Sequence, residues 1–89
     1  MTSGGEKMFE AQIKVTLKKT VADPQGLTVK HALDSLNFSG LEDIRMGKFI
    51  TLQLKAKDEA EAKIQVESMC QKLLANPIIE DYSFEVKKI

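Results

Sequence analysis

The chain has no tryptophan, one cysteine, one histidine and no surplus of either charge. Each shortage removes a class of function. A lone Cys70 cannot close an internal disulfide or build a cysteine metal cluster. A lone His31 leaves no second imidazole for a metal site. Thirteen Lys and Arg balance thirteen Asp and Glu, a formal net charge of zero. That balance removes the positive field on which general nucleic-acid or membrane-surface binding depends. It also removes repulsion between copies and so favours self-association. No run approaches the roughly 18 apolar residues of a membrane helix, and residues 1–7 lack the apolar centre of a signal peptide. They read as a flexible leader, with Met8 as the expected natural start and 8–89 as one domain. The cytosol is the expected compartment. With one Tyr and four Phe, and 43% hydrophobic residues, the core is mainly aliphatic and large enough for a folded chain.

What is present is periodic. Phe9, Ala11, Ile13, Val15 and Leu17 alternate with Glu10, Gln12, Lys14 and Thr16, the pattern of a half-buried strand. After a loop over 18–22, Asp23-Pro24 reads as an N-cap followed by proline in the first helical turn. Val29, Ala32, Leu33 and Leu36 form a helical stripe, which Gly40 is expected to end. Ile44, Met46, Ile50, Leu52, Leu54 and Ala56 share one parity. A hairpin over Gly47-Lys48-Phe49 pairs Met46 with Ile50 and Ile44 with Leu52; one long strand straight through Gly47 fits as well. Asp58 and Glu61 make a pattern like a capping box. Ala62, Val66, Met69, Cys70 and Leu73 form a second stripe, supported by Glu59–Lys63. Asn76-Pro77 ends that helix, and Ile78, Tyr82, Phe84 and Val86 mark one face of a last strand.

The two halves repeat. Ile13-x-Val15-x-Leu17 matches Ile50-x-Leu52-x-Leu54, each followed by an Asp-capped helix. Then come Leu41-Glu42-Asp43-Ile44 and Ile79-Glu80-Asp81-Tyr82. The order β-α-β-β-α-β predicts a ferredoxin-like α+β fold, with helices on one face of an antiparallel sheet.

Chemistry-bearing constellations are sparse. His31 lies at the flank of the first stripe. Cys70 lies on the second, where burial makes a thiol inert. Adjacent carboxylates at Glu42-Asp43 and Glu80-Asp81 point to opposite faces of a strand, so neither pair converges on one atom; their expected role is to limit edge pairing. No catalytic, cofactor or metal residue is assigned. Arg45 and Lys48, flanking Gly47, are the candidate partner-contact residues, where a carboxylate or phosphate could approach the backbone. RNA-recognition domains share the predicted architecture but stack bases on aromatics of the central strands. Here those positions hold Ile, Val and Leu.

Three segments in register, Asp23-Pro24-Gln25-Gly26, Arg45-x-Gly47-Lys48 and Leu73-Leu74-Ala75-Asn76-Pro77-Ile78-Ile79-Glu80-Asp81-Tyr82, resemble the PurS family, the small subunit of phosphoribosylformylglycinamidine (FGAM) synthase. The resemblance runs from Phe9 onward. It implies a role in purine biosynthesis, where an amide of formylglycinamide ribonucleotide becomes an amidine at the expense of ATP and glutamine. It also implies that the chemistry lies elsewhere. A large PurL-type synthetase uses ATP and Mg²⁺, and a PurQ-type glutaminase supplies ammonia. The small subunit, without a cofactor of its own, assembles them and assists ammonia transfer. In single-chain versions of the enzyme an N-terminal domain resembles a pair of such subunits, which implies a homo-oligomer here, a dimer or a dimer of dimers. The bare residue reading, with an apolar sheet surface, also fits a stand-alone dimeric small-molecule-binding regulatory module. An acylphosphatase-type enzyme lacks its phosphate-cradling loop here.

Overall fold

Alternation in Phe9-x-Ala11-x-Ile13-x-Val15 makes β1 (Lys7–Leu17) the central strand, with those four side chains buried and Lys14 and Thr16 exposed. The structure is a computed structural model describing residues 6–89. The expected leader therefore lies mostly outside the described residues, and Lys7 already pairs with Ala56. β2 (Gly47–Ala56) and β3 (Glu80–Lys88) flank β1, both antiparallel to it, in the order β2-β1-β3. The register sets Ile13 between Ile50 and Phe84, and Ala11 between Leu52 and Val86. Directly opposed residues share a face, so one face of the sheet is apolar throughout its middle.

That face is covered by α2 (Glu59–Met69), which packs on all three strands. Asp58 caps it, its Oδ1 accepting the Glu61 N–H at 2.9 Å. Glu61 reaches back one residue further than a capping box requires and accepts the Lys57 N–H at 3.1 Å. Ala62, Val66 and Cys70 are completely buried. Beyond Met69 the helix widens into a π turn over Cys70–Leu74, closed by Ala75 N–H donating to the Cys70 carbonyl at 2.9 Å. An i→i+5 turn shifts the stripe out of register. Leu73, expected on it, is 83% exposed, and Ala75 is buried instead.

The turn into β3 is built by Asn76. Its side-chain oxygen accepts the Ile78 N–H at 3.1 Å, and its carbonyl accepts those of Ile79 and Glu80. Glu80 Oε1 in turn accepts the Asn76 N–H at 2.7 Å. Glu80 thus interrupts the apolar pattern because its carboxylate holds the turn. Ile78, expected on the strand face, lies in that turn and is exposed.

The first helix, α1 (Pro24–Ser35), behaves differently. Asp23 caps it and proline opens it, as the sequence predicts. It ends at Ser35, five residues before Gly40, because Asn37 adopts φ +72° and Phe38 and Asn37 donate to the carbonyls of Leu33 and Asp34. That is the Schellman arrangement, with asparagine in the left-handed position. The stripe is not buried: Leu36 is 67% exposed, Val29 and Leu33 are half-buried, and Gly26 is the buried residue of the helix.

The segment from Phe38 to Met46 carries no turn or bend and joins β2 directly. The hairpin at Gly47-Lys48-Phe49 does not form, and neither does one long strand from 41 onward: β2 begins at Gly47. Among the described residues the ferredoxin-like α+β plan therefore holds three antiparallel strands and two helices, with 41–46 outside the ladder.

The face away from α2 is polar rather than apolar. Glu10, Gln12, Lys14, Thr16, Thr51, Gln53, Ser83 and Glu85 occupy it, with an exposed Phe49 among them. The apolar sheet surface expected from the sequence is instead the α2 face, on which Ile50, Leu52 and Leu54 are only half-buried.

Candidate partner-contact site

Arg45 and Lys48 flank the point where the chain enters β2, and the structure turns them to different backbones. Arg45 is half-buried. Its Nη2 donates to the carbonyls of Lys18 at 2.8 Å and Val21 at 2.7 Å. These carbonyls belong to the loop after β1, so the guanidinium ties the exit of one strand to the entrance of the next. Lys48 is exposed, with its Nζ 3.5 Å from the Leu74 carbonyl at the end of the π turn. A cation there complements the negative end of α2. The two side chains do not converge on one ligand position.

Between them, Asp23 organises the neighbourhood. Its Oδ1 accepts the Gly26 N–H at 2.9 Å and its Oδ2 accepts the Met46 N–H at 2.7 Å. The Gly26 hydrogen bond, then that of Met46, hold its carboxyl below the ordinary 3.8; partial burial opposes them and Arg45 adds to them. Two glycines make the approach possible. A Cβ on Gly26 would lie 2.0 Å from the Ile44 carbonyl oxygen, and one on Gly47 would lie 2.6 Å from that of Val15. A hollow of 360 Å³ opens beside Lys48, lined in part by Leu17, Asp23, Gln25 and Glu80.

Of the two acidic pairs expected at strand entrances, only Glu80-Asp81 lies in a strand; Glu42-Asp43 lies in the segment before β2, outside any strand. Asp81 accepts from Lys18 Nζ at 2.9 Å, and Glu80 serves the Asn76 turn. Glu42 and Asp43 are exposed, as is His31. Cys70 is buried, and burial, reinforced by Glu67, pushes its thiol pKa up. Among the described residues no group of His, Cys, Asp or Glu could hold a metal, and no helix is long and apolar enough to cross a membrane.

One polar cluster escaped the sequence reading. The Tyr82 hydroxyl donates to Glu67 Oε2, which also accepts from Gln71 Nε2 at 3.3 Å. The Glu67–Gln71 spacing on a helix was visible. The cross to Tyr82 depends on how α2 lies over β3, which no local pattern encodes.

Comparison with known proteins places these features in a wider set. Residues 10–88 match the family model described as PurS, phosphoribosylformylglycinamidine (FGAM) synthase. The chain is 42% identical over 82 residues to the phosphoribosylformylglycinamidine synthase subunit PurS of Bacillus subtilis, covering 92% of this chain and 96% of that one. It superposes on the crystal structure of Methanocaldococcus jannaschii PurS with a TM-score of 0.80 at 40% identity, covering 91% of this chain and 98% of the other. It also superposes on a chain of the PurLQS structure from Thermotoga maritima, with a TM-score of 0.79 at 32% identity, covering 92% and 98%.

Proposed function

Because the chain belongs to the PurS family of FGAM synthase, we propose that it is the small, noncatalytic subunit of that ligase in purine biosynthesis. It joins a PurL-type synthetase to a PurQ-type glutaminase and assists the passage of ammonia between them. The observation that carries this reading is the near full-length likeness to a chain of the PurLQS structure. The residues support it physically. The ionisable side chains around Gly47 are engaged with backbone groups of the chain itself, as a scaffold requires: Asp23 with two N–H groups, Arg45 with two carbonyls. ATP and Mg²⁺ belong to the synthetase in this reading, and the compartment is the cytoplasm.

The chain works as a homo-oligomer with the dimer as its unit. Of the two candidate contact residues, Lys48 is the exposed one and meets a carboxylate of the partner subunit. Arg45 acts from behind it, by fixing the backbone that carries Lys48.

The test is reconstitution with the synthetase and glutaminase of the same source, following amidine formation with glutamine and, separately, with free ammonia. A coupling subunit is needed for the glutamine-dependent rate and needed far less for the ammonia-dependent one. If neither rate responds to the chain, the assignment fails.

A further inference from the structure

Leu73 and Ile78 are the most exposed large apolar side chains among the described residues, at 83% each. They stand on either side of the turn that joins α2 to β3, and Pro77 between them is exposed as well. Two backbone features put them there. The π turn over Cys70–Leu74 carries Leu73 off the core stripe, and the Asn76 turn leaves Ile78 facing water.

That turn is tied at every N–H it has. Ala75 donates to the Cys70 carbonyl, Asn76 to Glu80 Oε1, Ile78 to Asn76 Oδ1, and Ile79 and Glu80 to the Asn76 carbonyl. Pro77 has no N–H to satisfy. The Ile79 carbonyl accepts the Lys18 N–H at 2.8 Å, and Asp81 pairs with Lys18 Nζ at 2.9 Å, so the turn is fastened to the end of β1. The backbone is fixed while its apolar side chains face solvent. The fold itself gains nothing from Leu73 and Ile78 in those positions. Groups displayed on a fixed backbone lose little further freedom on binding, so their burial goes largely into affinity.

The unanswered charge at this tip has one sign. Glu67 is engaged by Tyr82 and Gln71, Glu80 by the Asn76 N–H, and Asp81 by Lys18. Lys72 is exposed and has no carboxylate partner among the described residues. Lys48 reaches only the Leu74 carbonyl, at 3.5 Å.

We propose that this tip, Leu73, Pro77 and Ile78 flanked by Lys48 and Lys72, is a convex docking element that enters an apolar cleft rimmed by carboxylates on the large synthetase. The proposal rests on the subunit role given above and adds apolar anchors beside the Lys48 contact. Charge complementarity sets the rim of the receiving cleft, because the two lysines find no anion on their own chain. Concave sites form preferentially between domains, which favours the large subunit as the receiver. Three apolar side chains are an anchor within an interface rather than the whole of it.

The experiment measures binding of the full chain to the synthetase of the same source, with and without the glutaminase. The variants are Leu73→Ser/Ile78→Ser, Lys72→Glu and, as a control elsewhere on α2, Ile64→Ser, whose residue is 70% exposed. Every substituted residue is exposed, so each variant should melt within about 2 °C of wild type. The serine pair should bind the synthetase at least about tenfold more weakly. Lys72→Glu should weaken binding by less, with an effect that shrinks at high salt, and Ile64→Ser should bind as wild type does. Should the serine pair fail to fold, Lys72→Glu and its salt dependence decide. Wild-type binding by the serine pair overturns the proposal, and so does equal weakening by Ile64→Ser. A loss confined to the glutaminase also overturns it, as does a changed oligomeric state in sedimentation, which would make the tip a contact between copies. All of these leave the subunit role standing. A wild-type chain that the synthetase does not bind at all overturns the role and the proposal together.

Discussion

Asp23 and Met46, 23 positions apart, are joined by a 2.7 Å hydrogen bond from the Met46 N–H to the Asp23 carboxylate. The other oxygen of that carboxylate caps α1 through Gly26. One side chain therefore fixes where the first helix begins and where the second strand is entered. The sequence pattern Asp23-Pro24 announces the first role, because Asp before Pro is a helix start on local grounds. The second is long-range, and nothing local marks it.

This double role gives Asp23 a pH signature. Its carboxyl titrates below the ordinary 3.8 in the folded chain, chiefly because of the Gly26 and Met46 hydrogen bonds. Unfolded, it titrates near the ordinary value. The stabilisation is thus fully present above pH 3.8 and disappears as pH falls through the depressed folded value. Asp23→Asn should lower the melting temperature by roughly 5 °C near pH 6. The gap between mutant and wild-type melts should close as pH falls below 3.8. An equal gap at pH 6 and pH 2 would refute the electrostatic account.

Gly26 lies inside the same tie. Its Cβ position falls 2.0 Å from the Ile44 carbonyl oxygen, a backbone atom that cannot swing aside as a side-chain end could. Alanine is otherwise the better helix former, so propensity alone predicts that Gly26→Ala stabilises α1. The close approach predicts the reverse, a loss of about 1–3 kcal/mol from overpacking. Chemical denaturation of the two proteins decides the sign.

The fold was legible where the pattern was strong and local. The alternation of β1, both Asp caps, the Asn76 turn and the burial of Ala62, Val66 and Cys70 follow from residue type and spacing. What was misread depended on a neighbour or on a backbone irregularity. Leu73 fits the α2 stripe only if the helix stays α, and the π turn removes it. Gly47 suits a hairpin and a continuous strand equally by pattern, which leaves the choice between them open; it is glycine because the Val15 carbonyl lies across the ladder from it. The α1 stripe has the pattern of a buried helix and lies uncovered in the single chain. A periodic stripe marks the face of a helix that is apolar and does not say what, if anything, in the same chain lies against it. At the candidate site, Arg45 and Lys48 were found by their position around a glycine. Their attachment to carbonyls of distant segments was beyond any sequence pattern.

That attachment separates the two cations experimentally. A joint Arg45→Ala and Lys48→Ala change mixes two effects, because losing Arg45 strips a donor from the Lys18 and Val21 carbonyls and unties the loop. Lys48 is exposed and its 3.5 Å approach to Leu74 is long. Lys48→Glu alone should therefore leave the melting temperature within about 2 °C of wild type, as surface changes usually do. It should still reduce the glutamine-dependent rate of the reconstituted complex several-fold by placing like charge against a partner's carboxylate. Unchanged coupling by Lys48→Glu would remove Lys48 from the contact surface.

Tyr82 offers a check from the opposite end of the pH scale. Its hydroxyl donates to Glu67, and ionising the phenol would both break that bond and set two negative charges together. Its pKa is accordingly raised above the ordinary 10, first by the Glu67 hydrogen bond, with Gln71 pulling the other way and burial adding to the rise. In the unfolded chain the phenol ionises at the ordinary value. The bond's contribution is therefore whole below pH 10 and is lost as pH rises through the elevated folded value. Because the chain contains one Tyr and no Trp, the ultraviolet titration of phenolate reads this group alone. The folded protein should titrate above pH 10, and Glu67→Gln should return the midpoint toward the ordinary value with the fold intact. A midpoint at the ordinary value in the wild-type protein would mean that Tyr82 and Glu67 are not joined in solution, and that α2 crosses β3 differently from the arrangement described above.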